Sequence, residues 1–283
     1  MVIAPMLLHQ FTPPFDDLPF EESEYISELK LDGFRMTLSK WDNKIKLYTR
    51  HLNEITSKFP EFLNIDIPNG TVLDGEVVVT DSYGKPDFEE TMSRFAAGKN
   101  GEQQAQFCVF DILYYKGERV TSKPLIERKE LLESILVPND SIVLVQWTRG
   151  NAEALFNLTK EQGLEGIVLK AANSRYKIKK RSYDWRKVVH FSYAQTYILG
   201  VRKGDFGLLL GLEEAGKIRP VGVMEFMTPE ARKHFYRIHR DFIVGEDKKY
   251  VYLAPKIKIK VKFRCFTKTG KLRIPSFVEY IDS

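Results

Sequence analysis

The chain has 283 residues, 43% of them hydrophobic, with 19 Phe and 13 Tyr, enough apolar mass to fill the core of one large domain or two ordinary ones. Net charge is only +5, but residues 189–283 hold 18 Lys/Arg against 10 Asp/Glu while residues 1–188 hold 25 against 28, so the rear third is basic and the front near neutral. Two cysteines exclude a disulfide framework or a cysteine-based zinc site, no apolar run approaches the roughly 18 residues of a membrane span, and Pro5, Pro13 and Pro14 interrupt an N-terminus without a basic leader; a cytoplasmic protein with no membrane partner and two buried thiols is expected.

Residues 26–40 and 44–49 read as paired strands turned at Asp42 and Asn43. Residues 71–80 form a β-branched strand. Asp87 opens a helix through Ala97, with Glu90 at the capping-box position and Gly98 as its stop. Residues 106–115 are another apolar strand. Residues 124–136 have helical spacing (Leu125, Lys129, Leu132, Ile135, Leu136) with Pro124 in the first turn, and residues 151–162 read as a capped helix ending at Gly163.

Near residues 185–190 the pattern changes. Strands are expected at 196–201, 208–212 and 220–226, then a helix from the Thr228 cap and Pro229 to Arg240. In a final long strand Ile257, Ile259, Val261, Phe263 and Cys265 alternate with Lys256, Lys258, Lys260, Lys262 and Arg264. Period two gives that strand one oily face and one face of five cations. Those cations are candidates for contact with nucleic acid; the alternative is an edge strand that uses lysine to block aggregation. A small, mostly β, basic domain over residues 189–283 fits an OB-fold.

Five short segments carry the chemistry in one order: Lys30-Leu31-Asp32-Gly33-Phe34-Arg35; Arg50; Asp74-Gly75-Glu76; Glu165-Gly166-Ile167-Val168-Leu169-Lys170; and Trp185-Arg186-Lys187, with Phe110-Asp111 between the third and fourth. On a strand, residues two apart share a face, so Glu28, Lys30 and Asp32 are expected to point one way and Leu29 and Leu31 into the core. Gly33 then allows a tight bend and close approach. A lysine nucleophile must be neutral, and with a free pKa near 10.4 only roughly a thousandth is neutral at pH 7. Arg35, Arg50, Lys170 and Lys187 are the cations expected to ease deprotonation and stabilise a departing phosphate. Glu76 and Glu165 are hard oxygen donors suited to Mg²⁺ or Mn²⁺. Phe110 offers a ring for a base to stack on, though an aromatic in an apolar strand also serves as core. Strict alternation puts Glu165 and Lys170 on opposite faces, so both reach one ligand only if Gly166 distorts the strand.

The ordered set resembles the covalent nucleotidyltransferases, and within them the ATP-dependent DNA ligases. Residues 124–132, Pro-Leu-Ile-Glu-Arg-Lys-Glu-Leu-Leu, and the segment from Thr267 to Phe277 with Gly270, Leu272, Arg273 and Pro275 strengthen the likeness, which covers nearly the whole chain and is strongest to minimal two-domain phage and bacterial end-joining ligases. The resemblance implies an α+β fold: an adenylation domain of mixed, mainly antiparallel sheets over residues 1–188, then the OB-fold. It implies Lys30 as the residue that carries AMP, with Glu28, Arg35, Arg50, Glu76, Phe110, Lys170 and Lys187 at the nucleotide, Glu76 and Glu165 near Mg²⁺, and nicked duplex DNA as substrate. Two departures fall on phosphate-handling cations: Val189 stands where a second lysine is usual, and the chain ends Tyr280-Ile281-Asp282-Ser283 without the usual arginine and lysine. The NAD⁺-dependent class is disfavoured, because only 29 residues precede Lys30 and two cysteines cannot build its four-cysteine zinc finger. An RNA ligase or capping guanylyltransferase, and a nick-binding protein without catalysis, stand as alternatives.

Overall fold

The computed structural model describes residues 1–281. The chain divides into two compact units, Met1–Val189 and a second that begins at His190. Among the described residues no helix is long and apolar enough to cross a membrane.

The first unit is built on β1 (Leu7–Phe11), β2 (Tyr25–Leu29), β3 (Phe34–Trp41), β4 (Lys44–Thr49), β5 (Thr71–Val79), β6 (Ala105–Tyr115), β7 (Glu118–Arg119), β8 (Ile142–Leu144), β9 (Trp147–Arg149), β10 (Gly166–Ala171) and β11 (Arg181–Val189), with helices α1 (Phe88–Ala97), α2 (Leu125–Ile135) and α3 (Ala152–Glu161). One sheet runs β1-β11-β10-β2-β9 and the other β4-β3-β5-β6-β7, with β8 joining β6. Neighbours are antiparallel except β1 with β11 and β6 with β8. Central β5 and β6, β-branched and aromatic, are buried almost throughout, as strands covered on both faces must be.

Three apolar clusters hold this unit together. One lies on the second sheet, from Leu38, Leu73, Val77 and Phe107 to Leu132 and Leu136. A second joins the sheets, with Ile26 and Trp185 from one and Val72, Phe110 and Leu113 from the other. The third packs α3 on the far face of the first sheet, where Leu155 and Phe156 meet Ile167, Leu169 and Val188.

Residues 26–40 are two strands rather than one. β2 belongs to the first sheet and β3 to the second, and Lys30 to Gly33 carry the chain across. The expected facing reverses with that break: Glu28 is 2% exposed and Leu29 is 39% exposed. The outward face of β2 is covered by the second sheet, so the position that alternation assigns to solvent becomes interior. A Cβ on Gly33 would lie 2.0 Å from the Val77 carbonyl oxygen, so the glycine is required by contact with β5 rather than by room for a ligand.

The β3–β4 turn is as expected, with Asp42 and Asn43 both at positive φ. Asp87 caps α1, its side chain accepting from the Glu90 N–H at 3.0 Å. Two helix starts differ from expectation. Pro124 is the extended residue before α2, not part of its first turn. Asn151 precedes α3 in the left-handed region and makes no side-chain cap; its amide donates to the Arg149 carbonyl instead.

The second unit carries β12 (Ser192–Arg202), β13 (Leu208–Glu214), β14 (Lys217–Met224), helix α4 (Pro229–Ile238), β15 (Ile243–Glu246), β16 (Tyr250–Leu253), β17 (Lys258–Phe263) and β18 (Ser276–Tyr280). β15, β16 and β18 had no expected counterpart. The order is β14-β13-β12-β16-β15, with β17 between β12 and β18. The alternating strand is therefore interior, which overturns the edge-strand alternative. It is also shorter than its pattern, because Lys256 sits in a turn before it and Arg264 in a bend after it. Ile259, Val261 and Phe263 are buried in this unit's core, while Cys265, expected to be buried, is exposed beyond the strand end.

Candidate active site

The crossover after β2 places Lys30 between the two sheets. Its backbone N–H donates to the Gly166 carbonyl at 2.9 Å, and its ammonium pairs with Glu165 at 2.8 Å. Neighbouring cations were expected around this amine; the partner found is a carboxylate. Gly166, at φ +141°, has no room for a Cβ against the Val188 carbonyl, and Glu165 and Lys170 on either side of it do not meet at one group. Glu165 turns to Lys30, and Lys170 turns to a different group, Glu28.

Lys30 borders three cavities. The largest, about 520 Å³, is also lined by Arg35, Arg50, Glu76, Arg181 and Lys187. A narrow slot of about 50 Å³ lies between the sheets, walled by Glu28, Phe110, Val168, Lys170 and Trp185. A third, of about 350 Å³, opens on the side of Asp32, Tyr83, Gln162 and Glu165. Of the residues expected at a nucleotide, Lys30, Arg35 and Glu76 border both the cleft and the slot. Arg50 and Lys187 lie in the cleft, and Glu28, Phe110 and Lys170 in the slot.

These charges are fixed by partners. Arg35 grips Asp74 with two hydrogen bonds of 2.6 Å, and its guanidinium lies 4.5 Å from the Phe110 ring centroid. Burial works against its charge, but Asp74 prevails and holds Arg35 above its ordinary range. Tyr176 donates to the same carboxylate at 2.5 Å and accepts from the Met6 N–H at 2.9 Å. Burial first, then Asp74, pushes the Tyr176 hydroxyl well up. The Lys170 ammonium sits 4.3 Å from the ring centroids of both Phe110 and Trp185, and burial pulls it down to about 8 against the pull of Glu28.

Glu76 faces the opposite pressure. Burial lifts its carboxyl to about 7; Lys30 and Arg35 pull it down, while Glu165 and Asp74 add to the rise. A carboxylate raised mainly by burial, and further by a second carboxylate, suits a hard divalent cation. Among the described residues no three His, Cys, Asp or Glu form a protein cage. Magnesium does not require one, since it keeps waters and takes phosphate oxygens.

Sequence reasoning missed five members of this network. Asp74 was quoted only as a neighbour of Glu76, yet it anchors Arg35. Asp111 forms a fully buried two-bond pair with Arg128 of α2, at 2.8 and 2.9 Å, tying that helix to β6. Lys129, the next residue, reaches Glu28. Their strings were legible but their partners were not, and Tyr176 carried no signal. Val189 is buried opposite Gly166 on β10.

In the second unit, Lys258, Lys262 and Arg264 lie 4.7–5.4 Å from the rings of Tyr197 and Phe191, and Lys260 lies 5.8 Å from Tyr193 while pairing with Glu279 at 3.0 Å. Phe191, Tyr193 and Tyr197 come from β12 and the residue before it, so cations and rings share one face.

The model of the ATP dependent DNA ligase domain matches residues 5–188. The SPbeta prophage-derived DNA ligase-like protein LigB of Bacillus subtilis is 47% identical over 98% of this chain and 98% of its own length. The DNA ligase of Thermococcus fumicolans is 28% identical over 98% of this chain but 55% of itself, and the multifunctional non-homologous end joining DNA repair protein LigD of Mycobacterium tuberculosis is 26% identical over 97% and 38%. This chain thus spans about half or less of those two longer relatives. The fold is shared with the mycobacterial DNA ligase D complexed with ATP and MES, at a TM-score of 0.60 and 24% identity over 99% of this chain and 95% of that one. A domain model across two-thirds of the sequence, and a relative nearly half identical from end to end, show that the chain belongs to the ATP-dependent DNA ligase family.

Proposed function

We propose that the protein seals 5′-phosphate/3′-hydroxyl nicks in duplex DNA, with Lys30 as the nucleophile that takes AMP from ATP. The observation that carries this reading is the position of Lys30: one amine bordering a cation-lined cleft, an aromatic slot and a third opening. The slot suits the adenine ring, against Phe110 and beside Glu28 and Lys170. The cleft, with Arg35, Arg50 and Lys187, suits the phosphates. Lys30 Nζ attacks the α-phosphorus, the bond to pyrophosphate breaks, and the amine gives up a proton. Glu165 Oε2, at 2.8 Å, is the acceptor nearest that nitrogen.

AMP then passes to the 5′-phosphate of the nick. Attack by the 3′-hydroxyl releases it and closes the strand, the third opening leaving a route to Lys30 that does not cross the nucleotide. Glu76 and Glu165 would hold Mg²⁺, with Mn²⁺ as a substitute; bound there, the ion would polarise phosphate oxygens and offset their charge.

Residues 1–188 are assigned as the adenylation domain and 189–283 as an OB-fold. Lys256, Lys258, Lys260, Lys262 and Arg264 are assigned to duplex phosphates, contacts that are sequence-independent and salt-sensitive. The interior position of β17 supports this, since a strand paired on both sides has no edge to guard. Its site of action is the cytoplasm, where ATP and DNA are present.

Incubation with Mg²⁺ and α-labelled ATP, followed by a denaturing gel, should give a covalent label in wild type and none in Lys30→Ala. A label that persists in the variant refutes the nucleophile. Label from GTP instead points to a capping enzyme, and binding of nicked DNA with no label in wild type points to a non-catalytic nick binder.

A further inference from the structure

Glu28 is a buried carboxylate with two cationic partners. Lys129, arriving from α2, meets Oε1, and Lys170, on β10, meets Oε2 at 2.5 Å. Both lysines are 2% exposed. Their placements differ. Lys170 lines the slot and lies against Phe110 and Trp185, so a ligand entering the slot competes for its ammonium. Lys129 approaches Glu28 from the helix, behind the slot wall.

We propose that Lys129 is a positioning residue that holds Glu28 in place to read the base of the nucleotide donor, and so sets the preference for adenine over guanine. The inference rests on the assignment of this slot to the base. A carboxylate beside an ammonium presents an acceptor next to a donor. Adenine answers with its N6 amino group and a neighbouring ring nitrogen; guanine, displaced by one position, answers with N1–H and O6. The same two side chains therefore fit either base, and discrimination depends on the carboxylate being fixed as well as present. Lys170 is engaged by whatever enters and cannot also be the fixed point. Lys129 remains on Glu28 throughout, and it spares the carboxylate from standing as an uncompensated buried charge when Lys170 turns to the ligand.

The test is the initial rate of covalent labelling with ATP and with GTP for wild type, Lys129→Met, Lys129→Arg, Glu28→Gln and the double variant Glu28→Gln/Lys129→Met. Affinity for nicked duplex is measured on the same preparations as a check of folding. Lys129→Met should raise KM for ATP about tenfold or more, the worth of one hydrogen bond to a charged group, with a smaller change in kcat. It should also narrow the ATP-to-GTP ratio, while Lys129→Arg restores both and nicked-duplex affinity stays within about twofold. In the Glu28→Gln background Lys129→Met should add nothing, since it acts through the lost carboxylate. A Lys129→Met protein with wild-type KM and ATP-to-GTP ratio overturns the proposal. So does an equal loss on ATP, GTP and DNA that persists in the Glu28→Gln background, which marks a purely structural lysine. Absence of label in wild type would instead defeat the assignment of the site itself.

Discussion

In the first unit the charges near Lys30 are buried or half-buried and matched: Arg35 on Asp74, Arg128 on Asp111, Lys30 on Glu165, Glu28 between two lysines. On β17 the cations lie over aromatic rings at the surface, and only Lys260 shows an acidic partner, Glu279, among the pairs described. Under the proposed assignment the contrast separates two uses of charge. Chemistry at a phosphorus needs groups held in fixed places, and burial with a partner holds them there at a cost in solvation. Binding a long polyanion needs accessible cations whose contributions add and are screened by salt.

The largest effect expected from breaking that contrast is structural. Asp111→Ala strands the Arg128 guanidinium with no solvent access and should cost about 3–5 kcal/mol in urea unfolding. Lys258→Ala or Lys262→Ala should change the same measurement by no more than about 0.5 kcal/mol. Equal effects in the two regions would erase the distinction.

Gly166→Ala follows. A Cβ there would lie 2.1 Å from the Val188 carbonyl oxygen at φ +141°, so β10 must shift from β11. A loss of about 2–3 kcal/mol is expected, with weaker labelling by ATP because Glu165 and Lys170 are aimed from either side of this residue.

Glu76 ties the burial of charge to pH. Its carboxyl is raised to about 7, from an ordinary 4.5 in the unfolded chain. Between those values the unfolded state releases the proton while the folded state keeps it, so this group's contribution to stability falls as pH rises from about 4.5 to 7. Glu76→Gln should therefore stabilise the metal-free protein by about 1–2 kcal/mol at pH 8 and by little near pH 5, while impairing adenylation. A stability difference independent of pH would show that Glu76 is not strained by burial.

The smallest effects belong to the surface ladder. Lys258→Ala or Lys262→Ala should lower the salt dependence of nicked-duplex binding by about one unit of slope each. Tyr193→Ala should weaken binding without changing the slope, because a ring that steadies a lysine releases no counterion. A change in slope with Tyr193→Ala would mean that the ring's removal displaces the cation itself.

Much of this was legible from local pattern. The Asp87 cap, the turn at Asp42 and Asn43, and the oily face of β17 depend on neighbours a few residues apart, and these appear where expected. The segments from Lys30 to Lys187 line neighbouring cavities around Lys30, as the family resemblance implied. What could not be read were partners distant in the chain. The alternation of residues 28–32 sent Leu29 into the core, whereas packing against the second sheet buried Glu28 and left Leu29 exposed. Lys129 fell in the helical spacing of Leu125 and Leu132, but nothing in that pattern named Glu28 of β2 as its partner.

Short ordered segments and local periodicities therefore carried the family and the faces of the strands, and they nominated candidate reactive groups, because each is written in residue identity along the chain. Tertiary structure alone decided which carboxylate meets which cation. Burial and pairing depend on which elements pack together, and the link between Glu28 and Lys129 spans 101 positions that no local pattern bridges.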